Sequence, residues 1–416
     1  MGGLVSPAVT VLGMSGGPPG AEASAALSRA TLVVGARRHL DAVAVPVGAD
    51  TVVLGALAPA LDRLAEHDGP AVVLASGDPG FFGIVRALRE RGLRCDVRPA
   101  VSSVATAFAR IGLPWDDALV VSAHGRALAP AVDACRAHPK VAVLTAPDAG
   151  ADRLGEALRG LPRTLVVAQR LGTPGERVTT CTPSEAAATR WPDPHVVLVL
   201  AEPGPVAEPG PAGPPPAGGR VSPRGWAWPR AVSPSGWALP EDAFEHRDAM
   251  VTKVEVRALA LARLGPCLGR LVWDVGAGCG SVAVECARFG AAVVGVERDA
   301  AQCARIAANA ARHAVEVEVV EGTAPAALAG LPDPDAVFVG GGGPAVVAAA
   351  AERGPARIVV ALAALERVGA CAEALRAAGY AVSGTQLSAA RLAGLPDGTH
   401  RLSATNPVTL VWGDQP

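Results

Sequence analysis

The sequence predicts an α/β protein built from two domains. Short apolar runs alternate with helix-like segments along most of the chain, a pattern typical of sheets covered by helices. With 416 residues, the chain is also too long for one ordinary domain. A Pro/Gly-rich stretch near the middle, EPGPVAEPGPAGPPPAGGR (202–220), cannot pack a core and separates two such regions.

The charge balance argues against a nucleic-acid partner. Lys+Arg 37 against Asp+Glu 39 gives a net charge of −2, without the excess of basic residues that nucleic-acid binders usually show. The sequence contains no apolar run long enough to cross a bilayer and no leader-like start. We therefore expect a cytoplasmic protein without a membrane partner.

The eight cysteines suggest free thiols. They form no C-x-x-C pair, and neither they nor the eight histidines show the spacing of metal ligands. Reduced thiols in the cytosol are the simplest interpretation. We expect no bound metal.

In the first half, apolar runs predict seven strands: 9–12, 31–34, 71–75, 119–121, 141–144, 165–168 and 195–200. A helix is predicted over 21–28. The loop after the first strand contains Gly13 and suggests a ligand edge, although the pattern is weak. Arg38 and His39 follow the second strand, where they either reach a substrate carboxylate or begin a solvated helix.

The turn SGDPGFFG (76–83) is the most specific local feature of this half. It follows a buried strand at its carboxyl end, where α/β sheets bind ligands. The alternative is a structural turn whose phenylalanines pack in the core. Ser102 and Ser103 lie at a predicted strand-to-helix junction, where they are equally suited to cap the helix.

We place the first domain at residues 1–202, a linker at 203–235 and the second domain at 236–416. Trp226, Trp228 and Trp237 flank the end of the linker and are expected to dock it onto a neighbouring surface. The glycine-rich loops of the two halves differ in form, which argues against an internal duplication.

In the second half, a helix is predicted to open near Thr252 and to run to about residue 264. Thr252 and Glu255 have the spacing of a capping box, so Thr252 has a possible structural role. Further strands are predicted at 315–320, 335–339, 357–361 and 408–412.

The stretch LVWDVGAGCGSVAVECARFGAAVVGVERD (271–299) organises this half. Strands at 271–275 and 291–296 enclose a glycine-rich turn, 276–280, and a helix, 281–288. Glycine allows the backbone to approach a ligand closely. Glu297 follows Gly276 by 21 residues, where a βαβ unit places a carboxylate beside a bound ribose. The stretch therefore predicts a nucleoside-containing cofactor.

The glycine spacing decides between cofactors. The nicotinamide fingerprint is G-x-G-x-x-G, whereas this turn reads D-V-G-x-G-x-G from Asp274. That form resembles motif I of the class I S-adenosylmethionine (SAM) methyltransferases, and SAM has no pyrophosphate to place on a helix N-terminus. A nicotinamide enzyme and a ligand-free structural turn are the alternatives.

Taken in order, the motifs of the chain resemble those of the decarboxylating precorrin C5,15-methyltransferases of cobalamin biosynthesis. The first half is similar to the tetrapyrrole methylases (class III), through VLGMSGG (11–17), VGARRHL (34–40), ASGDPGFFG (75–83), PAVSSVATAFARIGLPWDDA (99–118) and VSAHGR (121–126). The second half resembles the class I partner, through LPEDAFEH (239–246), MVTKVEVRALAL (250–261), WDVGAGCGSVAVE (273–285), GVERD (295–299), EGTAP (321–325) and PDAVFVGGGG (334–343).

The resemblance implies a first domain of two subdomains with a cleft, and a Rossmann-like second domain. It also implies SAM-contacting residues in the second domain: Thr252, Gly276, Ala277, Gly278, Cys279, Gly280, Glu297 and Ala324. In the first domain, the implied SAM contacts are Gly13, Asp78, Phe82, Ser102 and Ser103, and the residues near the tetrapyrrole are His124 and Arg126. The loop at Gly13 lacks the acidic residue common in that family.

The implied reaction is methylation of a precorrin or cobalt-precorrin at C5 by the first domain and at C15 by the second. The second domain also releases the ring-C acetate carboxyl as CO2. SAM is the one cofactor implied. A homo-oligomer, a dimer through the first domain, is expected from the class III relatives.

Three rival interpretations remain. A methylase of RNA or another metabolite is the first, although residues 339–343 lack the Asn/Asp-Pro-Pro-Tyr turn of amino-group methylases. The second is a nicotinamide oxidoreductase. The third is a tetrapyrrole carrier with vestigial cofactor sites, which the intact glycines and Glu297 disfavour.

Overall fold

The computed structural model describes residues 9–17, 19–201, 236–247 and 251–416. Contacts between residues divide the chain into two units, Met1–Arg126 with Lys140–Gly204, and Ala127–Pro139 with Pro205–Pro416. Within the described ranges, no helix has the length and apolar character needed to cross a membrane.

The first unit opens with a parallel sheet of five strands: β1 (Val9–Met14), β2 (Leu32–Gly35), β3 (Asp50–Val53), β4 (Ala71–Ser76) and β5 (Cys95–Arg98). Their order is β3-β2-β4-β1-β5. The helices between and after them are α1 (Ala21–Leu27), α2 (Arg37–Leu40), α3 (Leu57–Ala65), α4 (Val85–Glu90) and α5 (Ser103–Arg110). Both faces of the sheet are buried, because alternate residues of β1 and β2 pack into two separate apolar clusters.

A second sheet of five strands follows: β6 (Leu119–Ser122), β7 (Lys140–Leu144), β8 (Arg163–Gln169), β9 (Arg177–Cys181) and β10 (His195–Ala201). Its order is β6-β7-β10-β8-β9, and only β6 and β7 are parallel. The associated helices are α6 (Ala129–Ala137), which groups with the second unit, α7 (Ala151–Ala157) and α8 (Pro183–Ala188).

The second unit contains a sheet of seven strands in the order β13-β12-β11-β14-β15-β19-β16. Its strands are β11 (Leu271–Val275), β12 (Ala292–Glu297), β13 (Glu318–Glu321), β14 (Ala336–Val339), β15 (Arg357–Leu362), β16 (Ala381–Leu387) and β19 (Val408–Asp414), and β17 (Ala390–Gly394) pairs separately with β18 (His400–Ala404). The helices are α9 (Val254–Leu264), α10 (Ser281–Arg288), α11 (Ala300–Arg312), α12 (Pro344–Ala351) and α13 (Glu366–Ala377).

The strand order of this sheet reverses at β11. The chain leaves β11 toward β12 on one side, and β14 lies on its other side, so the strand order reverses at β11. Open α/β sheets bind ligands outside the carboxyl ends of the strands at such a point. The turn 276–280 starts there. The predicted α/β class is confirmed, with β19 antiparallel to both of its neighbours.

Several predicted element boundaries were wrong, and the exposed strands were not predicted. Six strands are missing from the prediction: β3, β5, β9, β16, β17 and β18. The predicted strand 315–320 begins only at Glu318, because the Val315 amide closes the end of α11 by donating to the Ala310 carbonyl. The linker, Trp226 and Trp228 lie outside the described residues, whereas Trp237 is half exposed with its ring 6.4 Å from that of Phe289.

Candidate functional site

The glycine-rich turn between β11 and α10 has the backbone that its sequence predicts. Gly276, Gly278 and Gly280 have φ values of 72°, 57° and 77°, in the region that favours glycine. The amides of Gly276 and Ala277 both donate to the Val296 carbonyl, which ties the turn to the end of β12. The turn is thus fixed from one side by the neighbouring strand.

The three glycines are required for different reasons. A Cβ at Gly280 would lie 2.9 Å from Ile306 Cγ2, and one at Gly276 would lie 3.0 Å from the Gly341 amide. A Cβ at Gly278 would meet no other protein atom within 4 Å. Packing therefore explains two of the glycines, whereas Gly278 faces open space at the sheet edge, as a residue that approaches a ligand does.

Glu297 ends β12 beside this turn. Its Oε2 accepts a hydrogen bond from the Gly278 amide at 2.9 Å, and its Oε1 accepts from the amides of Arg298 and Asp299. The structure therefore brings the predicted glycine turn and the predicted ribose carboxylate into direct contact. An acceptor here suits the two hydroxyls of a ribose.

Asp274 lies below the turn and is almost completely buried. Its Oδ2 accepts a hydrogen bond from the Ala283 amide at 2.9 Å, while Oδ1 has no partner among the described residues. Burial, with a smaller contribution from the negative charge of Glu297, raises the pKa of Asp274 to about 7. The carboxyl group thus holds its proton far more tightly in the folded protein than in the unfolded chain.

We expect the Asp274→Asn variant to be more stable than wild type at pH 8. A carboxyl group whose pKa rises on folding opposes folding above that pKa, and its cost disappears as the pH falls toward the unfolded value of 3.8. The gain at pH 8 should be on the order of 2–4 kcal/mol and should shrink toward zero near pH 4. Thermal unfolding of both proteins at the two pH values measures it. An equal difference at both pH values would show that Asp274 does not titrate as described.

Two further turns border the same edge of the sheet. The Gly322 amide donates to the Glu297 carbonyl, and Ala324 packs on the apolar cluster that contains Val275 and Val296. On the other side, the Gly340 amide donates to the Val275 carbonyl. Ala324, one of the predicted cofactor residues, therefore lies beside the end of β12.

The capping-box interpretation of Thr252 was wrong. Helix α9 begins at Val254, its N-cap is Lys253, and no side chain caps it. Thr252 instead offers its carbonyl to Arg257 Nη1 at 2.6 Å. Glu255 does not face Thr252 but binds Arg391, which also binds Glu241.

In the first unit, two loops pack tightly around Gly13, which lies near the end of β1 and not in the loop predicted after that strand. A Cβ there would lie 2.1 Å from the Gly77 carbonyl oxygen and 2.3 Å from the Ala100 amide. The two loops follow β4 and β5; the Gly77 amide donates to the carbonyl of Met14, the last residue of β1, and the Ala100 amide donates to the Gly77 carbonyl. Gly13 therefore has a packing reason of its own to be glycine.

The turn 76–83 divides its two phenylalanines between core and surface. Phe81 packs on the apolar cluster around Phe108, as the structural alternative predicts. Phe82 is 42% exposed and has a φ of 54°, which is unusual for a bulky side chain. The Arg126 guanidinium lies 5.4 Å from the Phe82 ring centre, so a predicted cofactor residue and a predicted substrate residue are neighbours.

The remaining predicted residues of the first unit have local roles in the structure. Asp78 accepts a hydrogen bond from the Gly80 amide at 2.8 Å. Ser102 is confirmed as the N-cap of α5, and its hydroxyl accepts from the Ala105 amide; Ser103 is the first residue of that helix. His124 is exposed, and its amide donates to Ser122 Oγ.

Arg38 and His39 form a polar cluster with Ser76 at the carboxyl ends of β2 and β4. Arg38 Nη2 donates to Ser76 Oγ at 2.9 Å, and His39 Nε2 lies 3.2 Å from the same oxygen. Burial, then the charge of Arg38, lowers the pKa of His39 to about 4. His39 is therefore neutral at physiological pH. The predicted helix start is confirmed as α2, in which Arg38 is exposed but His39 is buried.

Asn309 is a site residue that the sequence did not reveal. It is fully buried on α11 and donates to the Cys279 carbonyl in the glycine-rich turn. The only available signal was a polar residue three positions after Ile306, a helical spacing, in a segment that was not predicted as a helix. That pattern does not indicate which residues Asn309 contacts.

Two family models match the chain in separate regions. Residues 20–187 match the tetrapyrrole (corrin/porphyrin) methylases, and residues 242–412 match the precorrin methyltransferase domain. The second match contains the turn 276–280 and Glu297, and the first contains the turn 76–83 and Arg126.

Curated relatives match most of the chain or one part of it. A Sinorhizobium protein named precorrin-6Y C(5,15)-methyltransferase [decarboxylating] is 37% identical over 359 residues, 82% of this chain and 80% of the relative. A probable cobalt-precorrin-6B C(15)-methyltransferase (decarboxylating) of Pyrobaculum calidifontis is 38% identical over 44% of this chain and 97% of its own length. The cobalt-precorrin-7 C(5)-methyltransferase of Salmonella typhimurium is 33% identical over 41% of this chain and 88% of its own length.

Proposed function

The chain belongs to the family of the precorrin-6Y C(5,15)-methyltransferases (decarboxylating), and we propose that it carries out both methylations and the decarboxylation itself. The substrate is a precorrin, methylated at C5 and C15 with loss of the ring-C acetate carboxyl as CO2, which converts precorrin-6Y to precorrin-8X. The observation that carries the proposal is the contact between the turn 276–280 and Glu297 at the point where the strand order reverses.

We assign C5 methylation to residues 1–202 and C15 methylation with decarboxylation to residues 236–416. Relatives with either activity alone are similar to less than half of this chain, which supports separate domains for the two activities. The family model of the second half is that of a precorrin methyltransferase domain. Residues 203–235 then serve as the linker.

In the second domain, SAM fits the residues that surround Gly278. An open space above Gly278, two neighbouring glycines and a carboxylate at the end of β12 provide room for the amino-acid portion and acceptors for the ribose. We propose that this site is formed by Gly276, Ala277, Gly278, Cys279, Gly280, Glu297, Ala324 and Thr252. When bound, SAM supplies an electrophilic methyl group with a neutral thioether as leaving group.

In the first domain, we propose that Gly13 and the loops after β4 and β5 hold a second SAM, with Asp78, Phe82, Ser102 and Ser103 at the site. Their proximity supports this proposal, because hydrogen bonds join the end of β1 to the loop after β4, and that loop to the loop after β5, at the carboxyl edge of one parallel sheet.

We propose that Arg126 and His124 bind the tetrapyrrole beside Phe82. A guanidinium pairs well with carboxylates, of which the substrate has many. The Phe82 ring and the Arg126 guanidinium together present an apolar face and a positive charge. The main catalytic contribution of both domains is to hold the reacting carbon of the substrate in line with the methyl group. Decarboxylation draws on the conjugated imine system of the substrate as electron sink.

The proposal extends to the assembly and the location of the protein. We propose a homodimer through the first domain, on the resemblance of that half to the class III methyltransferases, and a cytoplasmic location for a biosynthetic enzyme of this kind.

Product analysis tests the function. The full chain is incubated with methyl-labelled SAM and the reduced tetrapyrrole, and product mass and CO2 are followed together. We expect a product that has gained two methyl groups and lost CO2. A chain that binds SAM but transfers no methyl group to the tetrapyrrole would refute the substrate, and a chain that does not bind SAM would refute the site.

A further inference from the structure

The segment 239–245 carries the motif LPEDAF and is not explained by the cofactor site. Apart from one 3-10 turn, Glu241–Ala243, it has no regular structure. Leu239 and Phe244 are buried in the core cluster formed with α9 and α10, and the Arg257 guanidinium lies 4.8 Å from the Phe244 ring centre. The segment therefore belongs to the fold of the second unit.

Side chains of α9, of α10 and of His313, the residue that follows α11, bind the backbone of this segment. The Leu239 amide donates to Glu285 Oε1 on α10, and Arg257 on α9 donates to the Leu239 carbonyl. Near the other end, His313 Nε2 lies 2.9 Å from the Ala243 carbonyl oxygen. The backbone of segment 239–245 is thus held by side chains in place of a strand partner.

Asn309 joins the segment to the glycine-rich turn. Its Oδ1 accepts from the Glu245 amide at 2.7 Å, and its Nδ2 donates to the carbonyls of Glu245 and Cys279, each at 2.9 Å. One acceptor and two donors are what a neutral amide side chain offers, and here each has a partner. Asn309 is fully buried, so none of these bonds competes with water.

Helix α11 contacts the turn a second time through Ile306. That side chain lies so close to Gly280 that a Cβ there would come within 2.9 Å of it. Ile306 thus packs against one end of the turn, while Asn309 fixes the carbonyl of the preceding residue. Helix α11 therefore holds Cys279 and Gly280, the part of the turn that lies between the open position Gly278 and the start of α10.

We infer that Asn309 is a positioning residue for SAM in the second domain. By fixing the Cys279 carbonyl it sets the orientation of the Gly278 backbone, and by binding Glu245 it makes that orientation depend on the docking of segment 239–245. This inference rests on the proposed function of the turn. It gives the motif at 239–245 a role at the cofactor site without direct contact to the cofactor.

The test is the affinity of each SAM site in the full chain for labelled S-adenosylhomocysteine, by equilibrium dialysis. The binding that is lost in the Gly278→Asn variant is assigned to the second-domain site. Asn309→Asp keeps the acceptor for the Glu245 amide but loses the donors to the two carbonyls. We expect the affinity of the second-domain site for S-adenosylhomocysteine to fall at least about tenfold, as for the loss of a buried hydrogen bond. The affinity of the first-domain site should be unchanged.

Asn309→Ala, which buries no charge, is the second variant and should show the same loss. The matched control is His313→Ala, which removes the bond to Ala243 but touches no atom of the turn described above. It should lower the melting temperature while changing the second-domain affinity by less than about twofold.

Equal affinity losses in the Asn309 and His313 variants, or no loss in either Asn309 variant, would overturn the inference and leave Asn309 with a structural role only. Absence of the second-domain site from the wild-type protein would instead refute the proposed function.

Discussion

Replacing Gly278 with Asn is expected to abolish C15 methylation and CO2 release while leaving the cofactor site of the first domain intact. A side chain at Gly278 would meet no protein atom within 4 Å, so it would project into the space assigned to SAM. Asn tolerates the φ of 57° at this position, and the folded protein should lose no more than about 1 kcal/mol of stability. We expect at least a hundredfold loss of C15 product, measured by mass spectrometry of the tetrapyrrole.

Gly379→Asn is the matched control for this variant. Gly379 also has a positive φ, 88°, and open surroundings, but it follows α13 and lies outside the turns that border the proposed site. It should retain both methylations. A Gly278→Asn protein that still releases CO2 at the wild-type rate would show that the turn does not hold the methyl donor of the C15 reaction.

Replacing Arg257 with Met is expected to destabilise the second unit by about 3 kcal/mol, near the lower end of the usual cost of breaking a buried ion pair, because Glu285 keeps its second partner, Arg288. Arg257 and Glu285 are both 0% exposed, with Nε and Oε1 3.5 Å apart. The variant would also leave the carbonyls of Thr252 and Leu239 without their donor. Burial lowers the pKa of Arg257, whereas the negative charges of Glu285 and Glu241 raise it.

Hydrogen exchange followed by mass spectrometry measures this loss within the second unit, because peptides from α9 and α10 report on it separately from the first unit. Arg376→Met is the matched control, since Arg376 pairs with Glu373 on the surface, where ion pairs contribute little. If Arg257→Met and Arg376→Met exchanged alike, the buried pair would not stabilise the second unit as described.

The stretch 271–299 was the most predictable part of the fold. Strand β11 and helix α10 begin and end at the predicted residues. The strand could be predicted because a strand buried on both faces is a continuous run of apolar residues. The glycine turn and Glu297 were predicted by their spacing alone. Their contact needs nothing beyond the βαβ geometry, which is local in sequence.

The exposed strands were not predictable by the same means. Strands β16, β17 and β18 are mostly exposed, and β3 and β9 lie at sheet edges with few buried residues. Without a buried face, such strands show no apolar pattern, and their pairing depends on partners elsewhere in the chain.

Long-range polar contacts at the site were also hidden in the sequence. Asn309 binds Glu245, 64 residues earlier, and Arg257 binds Leu239 and Glu285 on either side of it. The spacing of Thr252 and Glu255 predicted a local cap, but Glu255 instead binds Arg391, 136 residues away. Short-range spacing indicates a possible hydrogen-bond partner nearby in the sequence. In the folded chain, Glu255 instead pairs with a residue that is distant in the sequence.

The most direct test of the account is the number of S-adenosylhomocysteine molecules that one chain binds. Equilibrium dialysis of the purified full chain should give two per chain, falling to one in Gly278→Asn and remaining two in Gly379→Asn. One molecule per wild-type chain, or two in the Gly278→Asn variant, would contradict the assignment of one methyl-donor site to each domain.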